Sequence, residues 1–178
     1  MKKFLLTAAF FLTAIIFSEV KAQTTTSTAT VTVSLTAVQS IKVNSPAVAI
    51  NFRRSTDYLN GVNAPQTDHI TFSSTAGYTI SALAATDLTG GTGGSIPIST
   101  IDITPTQGTL TSAGQLSATK PLSLTVPAVI YSTASTPTGS GGTTEAKLSV
   151  NYKASGGADY LNRTGAFSSV ITYTIAPL

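Results

Sequence analysis

Residues 28–37 read Thr-Ala-Thr-Val-Thr-Val-Ser-Leu-Thr-Ala, an unbroken alternation of apolar and hydroxyl-bearing side chains. Successive side chains of a β-strand point to opposite faces, so a period of two puts all the apolar side chains on one face. Val and Thr are β-branched and pack well on a pleated surface. The stretch therefore predicts a strand with one apolar face, formed by Ala29, Val31, Val33, Leu35 and Ala37.

Shorter apolar or alternating runs follow along the chain, at 48–52, 70–72, 78–82, 96–103, 122–126, 146–152 and 167–175. Turns rich in Gly separate them, and we find no convincing run with the period of an amphipathic helix. Many short strands between such turns are typical of a sandwich or a small barrel. We predict an all-β chain with a single antiparallel Ig-like β-sandwich.

Residues 1–22 have the pattern of a secretory signal peptide. Lys2 and Lys3 precede an apolar run over 4–17, and Val20-Lys21-Ala22 fits the small-x-small rule for a cleavage site. A membrane anchor is the alternative, but a spanning helix needs about 20 apolar residues and this run is shorter. Cleavage leaves a polar segment over 23–28 and a sandwich domain over 29–178. We expect an exported, extracellular or cell-surface protein without a membrane span in its mature part, or a periplasmic one.

The charges of the predicted mature chain nearly cancel, with seven Lys and Arg against six Asp and Glu. Arg53 and Arg54 are the only adjacent cations. A nucleic-acid binder needs a basic stripe to neutralise phosphates, so we expect no nucleic-acid partner. Low net charge suits a protein that packs against copies of itself. The sequence has no Cys, which excludes disulfides and thiol chemistry.

Groups for catalysis are few in this sequence. His69 is the only His, and it directly follows Asp68, so on a strand the two side chains face opposite sides. There is no Gly-x-Ser-x-Gly elbow and no His-Glu-x-x-His pair. Oxygen ligands at Asp57, Asn60, Asn63 and Asp68 suggest calcium, but these residue types are also common in turns. We expect that this chain is not an enzyme and that it has no cofactor and no metal site.

The tetrapeptide Asp-Tyr-Leu-Asn occurs twice, at 57–60 and at 159–162. One interpretation is a pair of ligand loops, in which Tyr58 and Tyr160 stack on sugars. The other is structural: the Asp or Asn closes a turn while Tyr and Leu plug the edge of the sandwich. The first interpretation gives the alternative function for this chain, a monomeric carbohydrate-binding or adhesive module.

The closing segment 165–175, Gly-Ala-Phe-Ser-Ser-Val-Ile-Thr-Tyr-Thr-Ile, resembles the last strand of bacterial pilin-like and spore-coat-type surface subunits. In chaperone-usher pilins an N-terminal strand of one subunit completes the sandwich of the next. Gly165 stands fourteenth from the C-terminus, as a Gly often does in that family, whereas Pro177 replaces the family's penultimate Tyr. The resemblance implies a fimbria-like structural subunit that polymerises with copies of itself or joins other surface proteins.

Under this resemblance, the subunit contacts fall on Ala29, Val31, Val33, Leu35 and Gly165. The other interpretation of residues 29–37 is an ordinary first strand of a complete monomeric sandwich, and the sequence leaves both open.

Overall fold

The computed structural model describes residues 24–109, 114–133 and 145–178. The chain divides into two units, residues 1–35 and residues 36–178. The described part of the first unit, residues 24–35, has no regular secondary structure. The predicted signal peptide over 1–22 lies outside the described residues, so it stays a prediction.

Strands are the main regular secondary structure in the described part of the second unit. In chain order its elements are β1 (Gln39–Val43), α1 (Ser55–Asn60), β2 (Val62–Ser74), β3 (Tyr78–Ala84), a 3-10 turn (Ile98–Thr100), β4 (Ile101–Gln107), β5 (Gln115–Leu116), β6 (Lys120–Pro121), β7 (Ala128–Ser132), β8 (Ala146–Ala154), a 3-10 turn (Ala158–Tyr160) and β9 (Ile171–Pro177).

These strands form two antiparallel sheets that pack face to face. One has the order β1-β2-β8-β4-β6, and the other has the order β5-β7-β3-β9. The predicted all-β sandwich is therefore confirmed, while its Ig-like type stays a prediction. Alternate side chains of the inner strands meet between the sheets, as in β3, where every second residue is buried. The largest fully buried side chains are Tyr78, Tyr131, Phe72, Ile70, Ile80, Ile103, Leu122, Ile130, Leu148, His69 and Val150.

Three of the predicted strands differ from the structure. Residues 28–37 and 48–52 form no strand, and among the described residues neither stretch has a backbone hydrogen bond to a neighbouring strand. A strand needs such a neighbour, so period-two patterning alone did not suffice. Residues 124–126 form a bend, in which the Ser123 hydroxyl accepts the N–H groups of Thr125 and Val126 in place of a ladder partner.

The register of β2 against β8 breaks once. Gln66 pairs with Val150, but the next pair is Ile70 with Leu148, so β2 carries two extra residues at this bulge. Asp68 lies inside the bulge with a positive φ of 50°. Bulges re-aim side chains, and this one directs His69 into the interior, where it is 2% exposed.

Two glycines provide a test of close packing at the junction between α1 and β2. Gly61 ends α1 with φ 76° and ψ 177°, and Gly157 has φ 86° and ψ −163°, so both occupy a backbone region that only Gly adopts readily. A Cβ at Gly61 would lie 2.1 Å from the Ala154 carbonyl oxygen, whereas a Cβ at Gly157 would have no neighbour within 4 Å.

We expect Gly157→Ala to lower the free energy of unfolding by about 1–3 kcal/mol through backbone strain alone. Gly61→Ala should lose that amount and about 1–3 kcal/mol more, because the backbone of β8 must move to admit the methyl group. Urea denaturation of the two variants beside the wild type measures both values. An equal decrease in the free energy of unfolding in both variants would show that the backbone at Ala154 does not sterically exclude a Cβ at Gly61.

Candidate functional site, an apolar groove along an open sheet edge

A cavity of about 970 Å³ opens beside β9, the last strand of the four-stranded sheet. Its lining comes from β1 and the residues after it, from core residues of the five-stranded sheet, from the loop after β3, from Tyr58 and Tyr160, and from β9 with the loop before it. We call this cavity the edge groove. Apolar side chains dominate its lining, among them Val48, Ile50, Phe52, Leu88, Ile96, Ile98, Ile101, Phe167 and Ile171.

Residues 45–52, which we call the strap, form one wall of the edge groove. Val48, Ile50 and Phe52 are half-buried and pack against the core, whereas the residues between them are exposed. This alternation is that of a strand with one face inward. Among the described residues, however, no backbone hydrogen bond involves residues 45–51. The strap thus has the burial pattern of a strand without a strand's partner.

Strand β9 forms the opposite wall. Its inward side chains Ile171, Tyr173 and Ile175 are only half-buried, although the β3 residues that pair with them are fully buried. Leu178 N–H donates to the Gly77 carbonyl, so Thr172, Thr174 and Ala176 direct their backbone groups toward β3. Residues alternate in an antiparallel ladder, so the three half-buried residues direct N–H and C=O away from β3. No described strand pairs with them on that side.

Three polar side chains cross the interior at this side of the sandwich. His69 Nε2 and the Tyr152 hydroxyl are 2.9 Å apart, and the Tyr152 hydroxyl is hydrogen-bonded to the hydroxyl of Tyr173. His69 and Tyr152 belong to the five-stranded sheet and Tyr173 belongs to β9, so this polar rung joins the two sheets. All three residues line the edge groove.

Burial shifts the protonation equilibria of the polar rung toward the neutral forms. It lowers the pKa of His69 below its ordinary 6.5 and raises the pKa of Tyr152 to about 12. Burial also raises the pKa of Tyr173, with a further contribution from the neighbouring Tyr152. At neutral pH the polar rung therefore consists of a neutral imidazole and two phenols. His69 Nδ1 is buried and has no hydrogen-bond partner among the described residues.

Asp68 holds the bulge that turns His69 inward. Its carboxylate accepts the Thr109 N–H at 2.7 Å and the Thr109 hydroxyl at 2.6 Å, and lies 3.4 Å from Lys147 Nζ. Its own N–H donates to the Ser149 hydroxyl, and the Asn44 side-chain amide donates to its carbonyl oxygen. Asp68 faces outward and His69 faces inward, which agrees with the opposite faces predicted for these neighbours.

The predicted closing strand begins later than its sequence pattern indicated. β9 starts at Ile171, and residues before it only bridge the loop after β3, through Thr89–Ser168 and Thr92–Thr164. Gly165 lies in this loop with a φ of 99°, and a Cβ there would come 3.3 Å from the Gly91 Cα. It also lines the edge groove, so its place is beside the groove rather than in the strand.

The two copies of Asp-Tyr-Leu-Asn come together around Phe52. The rings of Phe52 and Tyr160 are stacked with centroids 4.7 Å apart, and the ring of Tyr58 lies 5.1 Å from Phe52. Tyr160 is 6% exposed, and its hydroxyl is 2.7 Å from that of Thr100. Tyr160 agrees with the structural interpretation, because its side chain lies in the core. Leu59 and Leu161 do not plug the edge of the sandwich, since they are 78% and 51% exposed. A smaller cavity of about 520 Å³ adjoins both Tyr58 and Tyr160.

The remaining predicted contact residues lie in the first unit. Ala29, Val31, Val33 and Leu35 are all exposed, with Val31 at 85% and Leu35 at 90%. The structure does not join them to one another or to a strand. They remain a row of apolar side chains in the alternation that the sequence displays.

Three of the four oxygen ligands considered for calcium have other partners. Asp57 accepts the N–H groups of Arg53 and Arg54, Asn63 pairs with Asn151, and Asp68 is held by Thr109. Within the described residues no three His, Cys, Asp or Glu side chains are grouped as a metal site. No helix in the same residues is long and apolar enough to cross a membrane.

Sequence reasoning missed the strap and the polar rung. The signal for the strap was present, since residues 48–52 alternate, but nothing in the sequence said that its backbone lacks a partner. In the polar rung His69 contacts Tyr152, 83 positions later in the chain, so no local sequence pattern indicates it.

Neither the comparison with protein-family models nor the comparison with curated protein sequences found a match for this chain.

The contribution of Asp68 to the free energy of unfolding should depend on pH in the acid range. Hydrogen bonds from the Thr109 hydroxyl and N–H, followed by the nearby charge of Lys147, hold the pKa of Asp68 below its ordinary 3.8. A lowered folded pKa gives stability that is present above the unfolded pKa and is lost as pH falls through the folded pKa. We expect Asp68→Asn to be destabilising at pH 7 and much less so near pH 2.

Urea denaturation from pH 7 to pH 2 tests this expectation. Asp159→Asn is the matched control, because the Asp159 side chain accepts no hydrogen bond among the described residues. A constant difference between wild type and Asp68→Asn over the whole range would mean that the carboxylate does not hold the bulge.

Proposed function

We propose that this chain is an exported, non-enzymatic surface subunit that assembles with copies of itself by strand addition. In this proposal residues 29–37 of one copy enter the edge groove of the next. The observation that carries it is the edge of β9, where Ile171, Tyr173 and Ile175 have no backbone partner among the described strands on one side, and where Ile171 and Tyr173 line an apolar groove. An open edge of this kind is a template for an added strand.

The segment over 29–37 has the features that the edge groove requires. Strand addition takes its affinity from backbone hydrogen bonds and its specificity from alternate side chains that enter pockets. Val31, Val33 and Leu35 provide such a row, and they are exposed in the single chain. Nine residues in a strand span about 30 Å, which exceeds the roughly 23 Å of the seven-residue β9. The segment can therefore pair along the whole length of β9.

The strap supports the same interpretation from the other wall of the groove. Its half-buried residues already face the core, and its backbone lacks partners among the described residues. A strand placed between the strap and β9 would face unpaired backbone on both sides. Export rests on the pattern of residues 1–22, and the proposal of no catalytic role is supported by His69, whose Nε2 is hydrogen-bonded inside the sandwich.

We expect Val33→Asp to abolish self-assembly. In an added strand this side chain points into the apolar groove, where an unpaired carboxylate costs several kcal/mol. Since 1.4 kcal/mol is a factor of ten, association should weaken by at least about 100-fold. Size-exclusion chromatography with light scattering on purified protein measures the loss of multimers.

Thr32→Asp is the matched control for this experiment, because it adds the same charge one residue away on the opposite face. Its multimers should persist. Multimers of undiminished size in Val33→Asp would exclude strand addition through this segment, and so would a wild-type chain that is monomeric at all concentrations.

The alternative function is a monomeric carbohydrate-binding module at Tyr58 and the smaller cavity beside it. Burial of Tyr160 leaves a single partly exposed ring, and Phe52 already contacts it. We therefore expect a glycan array to remain flat for the wild type. Specific binding that disappears in Tyr58→Ala, but not in Tyr152→Phe, would instead establish the carbohydrate-binding function.

A further inference from the structure

The edge groove contains one group that strand addition alone does not explain. His69 is 2% exposed, its Nδ1 has no partner among the described residues, and a two-residue bulge is needed to turn it inward. A buried polar atom without a partner costs free energy. An apolar side chain at this position would avoid that cost, so the imidazole calls for an explanation.

We infer that the polar rung of His69, Tyr152 and Tyr173 positions β9 to receive the strand of a second copy, and that protonation of His69 releases that strand in acid. This inference rests on the proposed function, since it concerns the regulation of the same groove.

The positioning role follows from the hydrogen bonds of the polar rung. Tyr173 is the inward residue at the middle of β9, and its hydroxyl is bonded to Tyr152 of the opposite sheet. Among the described strands β9 is paired on one side only, so this cross-sheet bond ties the open edge to the rest of the sandwich. Tyr152 is in turn bonded to His69. The three side chains thereby hold β9 at a fixed distance from the opposite sheet, and an added strand must fit beside β9 in that position.

The acid sensitivity follows from what surrounds the imidazole. The groups that face His69 are the phenols of Tyr152 from β8 and Tyr173 from β9, and neither carries a negative charge at neutral pH. The Asp68 carboxylate is occupied by Thr109 and Lys147, and no described carboxylate lies within ion-pair distance of His69. Protonation would add a second N–H donor at Nδ1 without an acceptor, and a charge without a counter-ion.

The other walls of the groove supply no anion to balance that charge. The strap contributes apolar side chains and Asn51, while Tyr58 and Tyr160 contribute phenols. The loop before β9 contributes Arg163, a cation, whose guanidinium donates to the carbonyl oxygens of Asp159 and Ser95. Neutral His69 is therefore the form that the closed groove favours.

His69 itself is already buried, but it lines the edge groove, so a strand there would replace solvent beside the polar rung with apolar side chains and raise the cost of the charged form of His69. Binding then expels a proton in the pH range where free His69 is protonated. Because burial lowers the pKa of His69 from 6.5, the affinity should be constant above about pH 6.5 and fall below it. Linkage to one proton limits the fall to tenfold per pH unit.

The experiment separates acceptor from donor. The acceptor is the full chain carrying Val31→Asp and Val33→Asp, which disables its own segment. The probe is a fluorescent synthetic peptide of residues 24–38, blocked at both ends, which contains no ionisable side chain. Fluorescence anisotropy gives Kd from pH 8 to pH 5, and a peptide with the same two substitutions is the control for specificity.

We expect Kd to be flat from pH 8 to about pH 6.5 and to rise severalfold or more by pH 5. His69→Gln keeps a hydrogen-bonding side chain that does not titrate, so its Kd should be the same at both ends of the range. Tyr173→Phe removes the cross-sheet hydrogen bond without changing charge. It should bind the peptide more weakly at pH 8, with a higher Kd than the wild type. NMR titration of His69 in the wild-type acceptor should give a lower pKa with the peptide bound than without it.

The outcomes distinguish the two proposals. No peptide binding at pH 8 would overturn the proposed function and this inference with it. Binding with a Kd that is equal at pH 8 and pH 5 would overturn the inference alone. A pH dependence that survives in His69→Gln, or a His69 pKa that peptide binding does not lower, would do the same. The NMR titration decides the matter if His69→Gln does not fold.

Discussion

An unpaired row of backbone N–H and C=O groups along β9 is the constraint on which the rest of this structure depends. Each such group needs a hydrogen-bond partner, from water or from another strand. Because no described strand lies beyond β9, Ile171, Tyr173 and Ile175 stay half-buried, although their β3 neighbours are fully enclosed. The edge groove is the space that a further strand would fill. The strap, likewise without a backbone partner, borders the same space.

The other sheet edges show that this fold can protect an edge. The five-stranded sheet ends at β6, which has two residues, Lys120 and Pro121, and both residue types discourage further pairing. The four-stranded sheet begins at β5, which is also only two residues long. β1, the other end of the five-stranded sheet, has five residues that include Lys42, whereas β9 has seven residues, no charged side chain and no Pro before its last position. Protection is therefore weakest along the edge that borders the apolar groove, which is the arrangement expected of an edge that another strand covers.

The sequence predicted the fold class because the signal for it is local. Period-two patterning in β3 and β8, whose strands have partners on both sides, identified both elements. The same pattern over 28–37 and 48–52 predicted strands that the structure does not contain. The sequence of a segment does not show whether a partner strand lies beside it. Within the second unit, patterning thus located β2, β3, β4, β8 and β9, but it missed β1 and β7 as well as the position of the open edge.

The candidate site was harder to predict than the fold because its parts are distant in sequence. Tyr160 was placed near a loop, which is true of its backbone, yet its side chain is buried against Phe52 and Thr100. His69 was recognised as the only His, but its inward position depends on a bulge that begins after Gln66 and is held by Thr109 and Lys147. Such non-local contacts decide which side chain faces the groove, and one sequence without relatives does not contain them.

A chain without Cys must obtain all its stability from burial and hydrogen bonds. A segment that binds the folded state and not the unfolded one raises the free energy of unfolding. A partner strand in the open groove would therefore stabilise the fold. Assembly and stability then become linked properties of one surface. The polar rung lies where this linkage acts, since it ties β9 to the opposite sheet and faces the space that the added strand would occupy. One buried imidazole at this place can influence both the shape of the edge and the strength with which it holds a neighbour.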